Sequence, residues 1–351
     1  MRLRTLVLAA ILITVSTTVF AADNGVLLVH SPTVNRTHVV FVYGGYLWSV
    51  PREGGDARQL TTGGHEALPI FSPDGKWIAF TGQYDGNIDV FIIPAEGGEP
   101  RRLTFYPGAD VAVGWMPNSS RVLFRSSREA YADFARLYTV GLEGGWPEVL
   151  PMWRGEDGTF SPDASRIAYV PNLKWQTSWK RYRGGQTTPV YILQLSDLKL
   201  EKVPRENSND SHPVWFGDNV YFLSDRKGPV TLFSYDTKTK TVTQVLENNG
   251  LDLKSVSAGP DTLVYEQFGG IYLWDPKTTK SSRVNIQLSG DLPAIRPHYE
   301  KVGEKIQAAS ISPTGARAVF EARGEILTVP AEKGDARNLT RTTTVMERDA
   351  A

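Results

Sequence analysis

One decapeptide pattern constrains this chain more than any other feature. Phe71-Ser72-Pro73-Asp74-Gly75-Lys76-Trp77-Ile78-Ala79-Phe80 recurs as Phe160-Ser161-Pro162-Asp163-Ala164-Ser165-Arg166-Ile167-Ala168-Tyr169, and again as Ile311-Ser312-Pro313-Thr314-Gly315-Ala316-Arg317-Ala318-Val319-Phe320. Two further elements follow it. Val50-Pro51-Arg52-Glu53-Gly54-Gly55 is matched by Ile93-Pro94-Ala95-Glu96-Gly97-Gly98, Gly141-Leu142-Glu143-Gly144-Gly145 and Val329-Pro330-Ala331-Glu332-Lys333-Gly334. The unit then closes on Arg58-Gln59-Leu60-Thr61, Arg101-Arg102-Leu103-Thr104 or Arg337-Asn338-Leu339-Thr340. Pro-Asp-Gly is turn chemistry: Pro presets φ, Asp bonds back to the main chain and Gly takes φ > 0. The apolar run after it is too short for a helix and rich in strand formers. Its lack of alternation says that both faces are covered. Four short antiparallel strands in a repeat of about 40–45 residues describe a propeller blade.

Six complete units are readable, at about 25–62, 63–105, 106–151, 152–205, 206–247 and 248–288. Units five and six are degenerate and keep strands such as Val220-Tyr221-Phe222-Leu223 and Ile271-Tyr272-Leu273-Trp274. A Pro-rich connector, Leu288 to Pro297, separates them from a seventh unit at about 304–340. The expected fold is therefore all-β: a six-bladed propeller of four-stranded antiparallel blades over 23–290, a linker at 291–303, and one additional blade in 304–351. A single seven-bladed ring is the alternative. Because Gly25 to His30 supplies a first strand, each blade comes from one contiguous repeat, and blade one is expected to close on blade six by packing alone, with no shared strand.

Composition narrows the function. Lys plus Arg and Asp plus Glu both number 38, and removing Arg2 and Arg4 with a leader leaves a charge of about −2. Clustered positive charge, the footprint of a nucleic-acid binder, is absent. There is no cysteine, which excludes disulfides, thiolate nucleophiles and Cys-based zinc sites. Residues 1–22 read as a cleaved signal peptide: Arg2 and Arg4, then the apolar Leu6 to Ile13, then Val19-Phe20-Ala21 or Ala22 as cleavage site. Thr14, Ser16, Thr17 and Thr18 interrupt the apolar run well short of the ~20 residues a membrane span needs. The expected location is the periplasm or the cell exterior.

No catalytic constellation is visible. Ser72, Ser161 and Ser312 sit in the repeated turn, where a hydroxyl serves the backbone, and no G-x-S-x-G turn exists. His30, His38, His65, His212 and His298 lack metal-ligand spacing, and His212 and His65 read as loop residues. Asp85-Gly86-Asn87-Ile88-Asp89 with Glu96 imitates a calcium loop but carries Val90 where the sharp turn needs Gly. A hairpin turn accounts for it better. No catalytic, metal or cofactor residue is assigned.

The segment with interaction character is Trp179-Lys180-Arg181-Tyr182-Arg183, in a long insertion of unit four, with Trp175 close by. Its guanidinium groups have the geometry to hold a peptide carboxylate in a bidentate fork. The other reading is a packing loop whose aromatics fill a gap between blades and whose arginines bond carbonyls, the usual role of a Trp-rich loop in a propeller.

The repeat resembles those of TolB-type propellers. Phe41-Val42-Tyr43-Gly44-Gly45-Tyr46-Leu47-Trp48, Trp179 to Gly185 and Val220-Tyr221-Phe222-Leu223-Ser224-Asp225-Arg226 further resemble the N-terminal propeller of tricorn-type serine peptidases in their exported bacterial form. The resemblance covers essentially all of residues 25–351. It implies a modular enzyme in which a six-bladed and a seven-bladed propeller precede catalytic domains placed around a PDZ domain. The family's catalytic Ser and His lie in those later domains, so residues 1–351 are expected to be a truncated, inactive portion. The implied role is gating or filtering of peptides and unfolded segments, with the rest of the peptidase as partner and homo-oligomers within reach. A free-standing TolB-like protein-binding propeller is the alternative. A prolyl-oligopeptidase-like propeller would need an α/β-hydrolase domain that is missing.

Overall fold

The computed structural model describes residues 28–130, 134–173, 179–290, 296, 298–342 and 345–350. The leader at 1–22 lies outside the described residues, as do 291–295 and 297 of the linker.

The chain is all-β, arranged as successive four-stranded antiparallel sheets. The first is β1 (His30–Val34), β2 (His38–Tyr43), β3 (Tyr46–Pro51) and β4 (Gly55–Gln59). The second is β5 (Glu66–Phe71), β6 (Trp77–Gly82), β7 (Asp89–Pro94) and β8 (Arg101–Arg102). The third is β9 (Asp110–Trp115), β10 (Arg121–Ser126), β11 (Arg136–Gly141) and β12 (Gly144–Val149). The fourth is β13 (Asp157–Phe160), β14 (Arg166–Val170), β15 (Tyr191–Gln194) and β16 (Leu200–Lys202). The fifth is β17 (Asp210–Phe216), β18 (Asn219–Ser224), β19 (Thr231–Asp236) and β20 (Val242–Gln244). The sixth is β21 (Leu253–Ala258), β22 (Leu263–Gln267), β23 (Gly270–Asp275) and β24 (Lys280–Arg283). A short strand, β25 (Ile286–Leu288), precedes a seventh sheet of β26 (Ile306–Ile311), β27 (Arg317–Ala322), β28 (Glu325–Pro330) and β29 (Arg337–Asn338).

The repeated sequence elements have local causes. In the Ser-Pro-Asp-Gly turn the residue at the Gly position lies in the left-handed region, at φ 74° for Gly75 and 58° for Ala164. The serine hydroxyl accepts the main-chain N–H five residues on, from Trp77 to Ser72 (3.0 Å), Arg166 to Ser161 (2.9 Å) and Arg317 to Ser312 (3.1 Å). The threonine that closes the unit accepts from the start of the third strand: Leu47 N to Thr61 Oγ1, Val90 N to Thr104 Oγ1 and Ile326 N to Thr340 Oγ1, each at 3.0 Å. In the first, second and seventh sheets Arg-x-Leu-Thr therefore ties the end of the outer strand to the strand before it.

The second and third strands supply the core, because alternate residues face opposite sides of a sheet. Val40 and Val42 pack with Ile78 and Phe80 between the first two sheets, while Val39 and Phe41 pack with Val264 and Ile271 of the sixth. Ala79 and Ile92 meet Val122 and Phe124; Leu123 and Leu137 meet Ile167 and Tyr169. Ala168 and Ile192 meet Val220 and Phe222; Tyr221 and Leu223 meet Leu263 and Trp274. These seams form a closed cycle through sheets one to six, the face-to-face packing expected of a propeller. Among the described residues, no buried cluster of this kind includes a residue beyond 288. The seventh sheet keeps Ile306 and Ile311 exposed.

Of the strand expected from Gly25 to His30, residues 25–27 lie outside the described residues, and the first described strand is β1, His30–Val34. Ring closure differs from expectation. The sixth and first sheets do not join by packing alone: β25 leaves the sixth sheet and adds in parallel to β4, pairing Ile286, Gln287 and Leu288 with Gly55, Asp56 and Ala57. Counting strands within blades misses this segment, since its partner lies more than two hundred residues away. Gly54 and Gly55 let it approach. Gly55 N donates to Asn285 O at 2.8 Å, and a Cβ on Gly54 would fall 2.5 Å from that same oxygen.

Candidate functional site

The innermost strands β1, β5, β9, β13, β17 and β21 surround a cavity of about 810 Å³. Three of them carry the same irregularity, a bulge whose first residue has positive φ and precedes proline: Ser31-Pro32 (φ 53°), Leu68-Pro69 (φ 51°) and His212-Pro213 (φ 50°). A bulge inserts a residue, bends the strand and redirects a side chain. Proline suits the innermost position, where the strand edge has no further sheet neighbour to receive its N–H. At the opposite end the cavity is rimmed by the prolines of the repeated turns, Pro73, Pro117, Pro162 and Pro260.

Titratable lining residues all lie on one side, contributed by sheets three to five: Arg125, Glu156, Asp157 and His212. Arg125 Nη1 donates to the main-chain oxygen of Glu156 at 3.0 Å and lies 3.7 Å from its Oε2. Glu156 Oε1 accepts from Ala135 N at 3.3 Å. Main-chain N–H groups of Gly158 and His212 lie near the Asp157 carboxyl and favour its charged form. Burial pushes both carboxyl groups above the usual range; Arg125 pulls each down, as His212 does for Asp157. Among the described residues no ion pair reaches Asp157.

The Trp179 to Gly185 segment lies on the same face of the ring as the first ends of the inner strands. Arg183 Nη1 donates to Asp225 Oδ2 at 2.8 Å and Nη2 to Asp225 O at 3.1 Å. Asn209 Nδ2 donates to Tyr182 O (3.0 Å), and Lys180 pairs with Asp252 at 2.8 Å. The rings of Trp179 and Tyr182 stand 6.3 Å apart, with Trp179 about half exposed. Arg181 is exposed, at φ 56°. Trp175 lies outside the described residues. The loop of sheet four thus clamps sheets five and six. Two of the stretches singled out in the sequence touch here, since Asp225 belongs to Ser224-Asp225-Arg226. The flanking residues of that triplet bind inward: Ser224 Oγ donates to Asp210 Oδ1 (2.6 Å) and Arg226 Nη2 to Asp210 Oδ2 (3.0 Å), with the guanidinium over the Phe222 and Phe233 rings.

The other residues considered from sequence are dispersed. Ser72 and Ser161 donate to Asp74 (2.6 Å) and Asp163 (2.5 Å) of their own turns. Those hydrogen bonds help hold both carboxyls low, that of Asp163 at about 2. His30 begins β1, where burial lowers its pKa; His38 is bonded to Thr37, His65 lies in a loop and His298 is exposed beside Glu300. His212 is not a loop residue as expected, but part of β17 and of the cavity wall. Among the described residues no group of three or more His, Cys, Asp or Glu has the geometry to hold a metal ion, and no helix is long and apolar enough to cross a membrane. Arg125, Glu156 and Asp157 were missed by sequence reading. They come from two blades with no motif spacing.

Residues 26–280 match the family described as the tricorn protease N-terminal beta propeller domain. The chain belongs to that family. A tricorn protease homolog of Saccharolobus solfataricus is 24% identical over 307 residues, covering 84% of this chain and 28% of the relative. Tricorn protease homolog 1 of Streptomyces coelicolor is 26% identical over 309 residues, covering 86% and 29%. The crystal structure of the tricorn protease superposes with a TM-score of 0.67 at 20% identity, covering 91% of this chain and 32% of that one. The chain spans under a third of the length of these relatives. The TolB protein of Wolinella succinogenes is 30% identical over 167 residues, 46% of this chain and 39% of the relative. As a tricorn-type propeller, the molecule has its titratable cavity wall and its Trp179 loop on one face of the ring.

Proposed function

We propose that sheets one to six are the complete first propeller of a tricorn-like peptidase, and that it filters peptides or unfolded segments through its axis without catalysing a reaction. The observation that carries this reading is the axial cavity of about 810 Å³ enclosed by all six inner strands. A space bounded by rigid strands admits an extended chain and rejects a folded domain. In this reading the seventh sheet opens a second propeller, which fits its exposed Ile306 and Ile311 and its place outside the six-sheet cycle. Further domains of the same enzyme would supply the nucleophile, export by the leader would place the protein in the periplasm or outside the cell, and self-association follows the family.

The test combines turnover and binding. The purified chain is expected to hydrolyse no chromogenic peptide, and to bind unstructured peptides but not the folded proteins they come from. Turnover abolished by a serine-directed inhibitor, or equal binding of folded and unfolded forms, would overturn the proposal. The likeness to TolB over 167 residues favours a second reading, a free-standing binding propeller that docks folded partners on one face. Equal or preferential capture of folded partners would decide for it.

A further inference from the structure

We infer that the cavity wall at Asp157 is a binding site for an alkylammonium group of a peptide, either its amino terminus or a lysine side chain. The inference rests on the proposed peptide passage and names the chemistry that passage selects. Three observations carry it.

First, charge inside the cavity is confined to one place. Of the described residues facing it, only Arg125, Glu156, Asp157 and His212 carry titratable side chains, and the rest of the described wall is proline, small polar and apolar side chains. Second, the charges there do not balance. Arg125 is committed to Glu156 through the main-chain oxygen at 3.0 Å and the carboxylate at 3.7 Å. That leaves the Asp157 carboxylate with main-chain N–H groups nearby and no cation within ion-pair distance among the described residues. Two carboxylates face one guanidinium, with the His212 imidazole nearby but not within ion-pair distance of Asp157, and an incoming ammonium completes the set. Third, the position is shielded. Asp157 is only partly exposed on the cavity wall, beside the buried Glu156, so a cation arriving there gains more than at a water-exposed carboxylate.

A peptide amine is the chemical class that fits. The cavity holds a few residues of extended chain, and inner strands present main-chain edges to which such a chain can bond. No group of three or more candidate metal ligands stands here among the described residues. Around Asp157 the groups able to alter a titration are Arg125 of β10, the adjacent Glu156 and His212 of β17.

The test uses the full chain and isothermal titration with three peptides: tetra-alanine amide with a free amine, its N-acetylated form, and acetyl-Ala-Lys-Ala-Ala-amide. The free amine, the lysine peptide or both are expected to bind at least tenfold more tightly than the acetylated peptide. Which of them does so identifies the source of the ammonium. Asp157→Asn is expected to erase that ratio and leave the acetylated peptide's affinity unchanged. Should Asp157→Asn fail to fold, the wild-type and His212→Gln proteins decide: acidification should weaken the amine-bearing peptide by tenfold or more in both, and leave the acetylated one unaffected. Equal binding of amine and acetylated peptides overturns this inference while the passage proposal stands. Binding of none of the three overturns both.

Discussion

The parallel latch between β25 and β4 makes a sharp prediction about one glycine. Gly54→Ala places a methyl group 2.5 Å from Asn285 O at a backbone position with φ +91°. Gly86→Ala is the matched control, at φ +82° with nothing within 4 Å of the new Cβ. Both substitutions incur the left-handed penalty, about 1 kcal/mol. Only the first must also displace the latch. That loses the Gly55 N to Asn285 O bond and the pairing of Ile286 to Leu288, about three hydrogen bonds at ~1 kcal/mol net each. Ile286 and Leu288 also lose part of their burial against the seam of sheets six and one, about 2 kcal/mol together. The four freed residues regain conformational entropy of ~1 kcal/mol each at the low end, which leaves about 1 kcal/mol beyond the control. For a ring of this size that extra loss corresponds to about 2 °C in thermal midpoint, so Gly54→Ala is expected about 4 °C below wild type and Gly86→Ala about 2 °C below. Calorimetry reads the midpoints, and hydrogen exchange at Gly55 and Ala57, whose N–H groups face β25, reads the latch, which should lose protection in Gly54→Ala alone. Equal midpoints with unchanged protection at β4 would refute the reasoning and show that seam packing closes the ring unaided.

Three further outcomes are expected. Asp110 is fully buried, paired through Oδ2 with Arg128 and without a hydrogen-bond donor at Oδ1, whereas Asp210 in the fifth sheet accepts from both Ser208 and Ser224 at Oδ1. Burial raises its pKa above 3.8, and Asp89 pushes the same way. Its protonated form therefore contributes stability that is present below about pH 4 and lost as pH rises through the folded value. Wild-type stability relative to Asp110→Asn should accordingly fall as pH rises above about 4 in urea titrations, and a flat difference would sink the idea. Arg183→Ala strips the guanidinium from Asp225, which is 5% exposed, and should cost about 2 kcal/mol. Lys180→Ala removes a mostly exposed ammonium and should cost under ~0.5 kcal/mol; equal thermal shifts would contradict the assigned roles. Limited proteolysis should remove residues beyond about 298 and leave a core near 28–290, and equal resistance of 304–340 would argue that the seventh sheet is held as firmly as the six.

The strand order within each sheet was legible because its causes are local. Ser-Pro-Asp-Gly, Gly-Gly and Leu-Thr act on backbone atoms a few residues away, as the hydrogen bonds to Ser72, Ser161, Thr61 and Thr104 show. The contacts of the Trp179 loop were less legible. Arg183 binds both the Asp225 carbonyl and its carboxylate, and nothing near Arg183 in sequence announces that partner.

What the amino-acid order determined by itself is the blade, since turn residues and continuous apolar runs leave few alternatives to a four-stranded sheet covered on both faces. The tertiary structure alone decided how the ring closes and where its axis is charged. Ile286 to Leu288 is a three-residue strand that has no partner until sheet one is folded beside sheet six. Arg125, Asp157 and His212 come from three blades and share a cavity only because inner strands converge on one axis. Local chemistry writes the repeat, and long-range packing selects which side chains of successive repeats face one another.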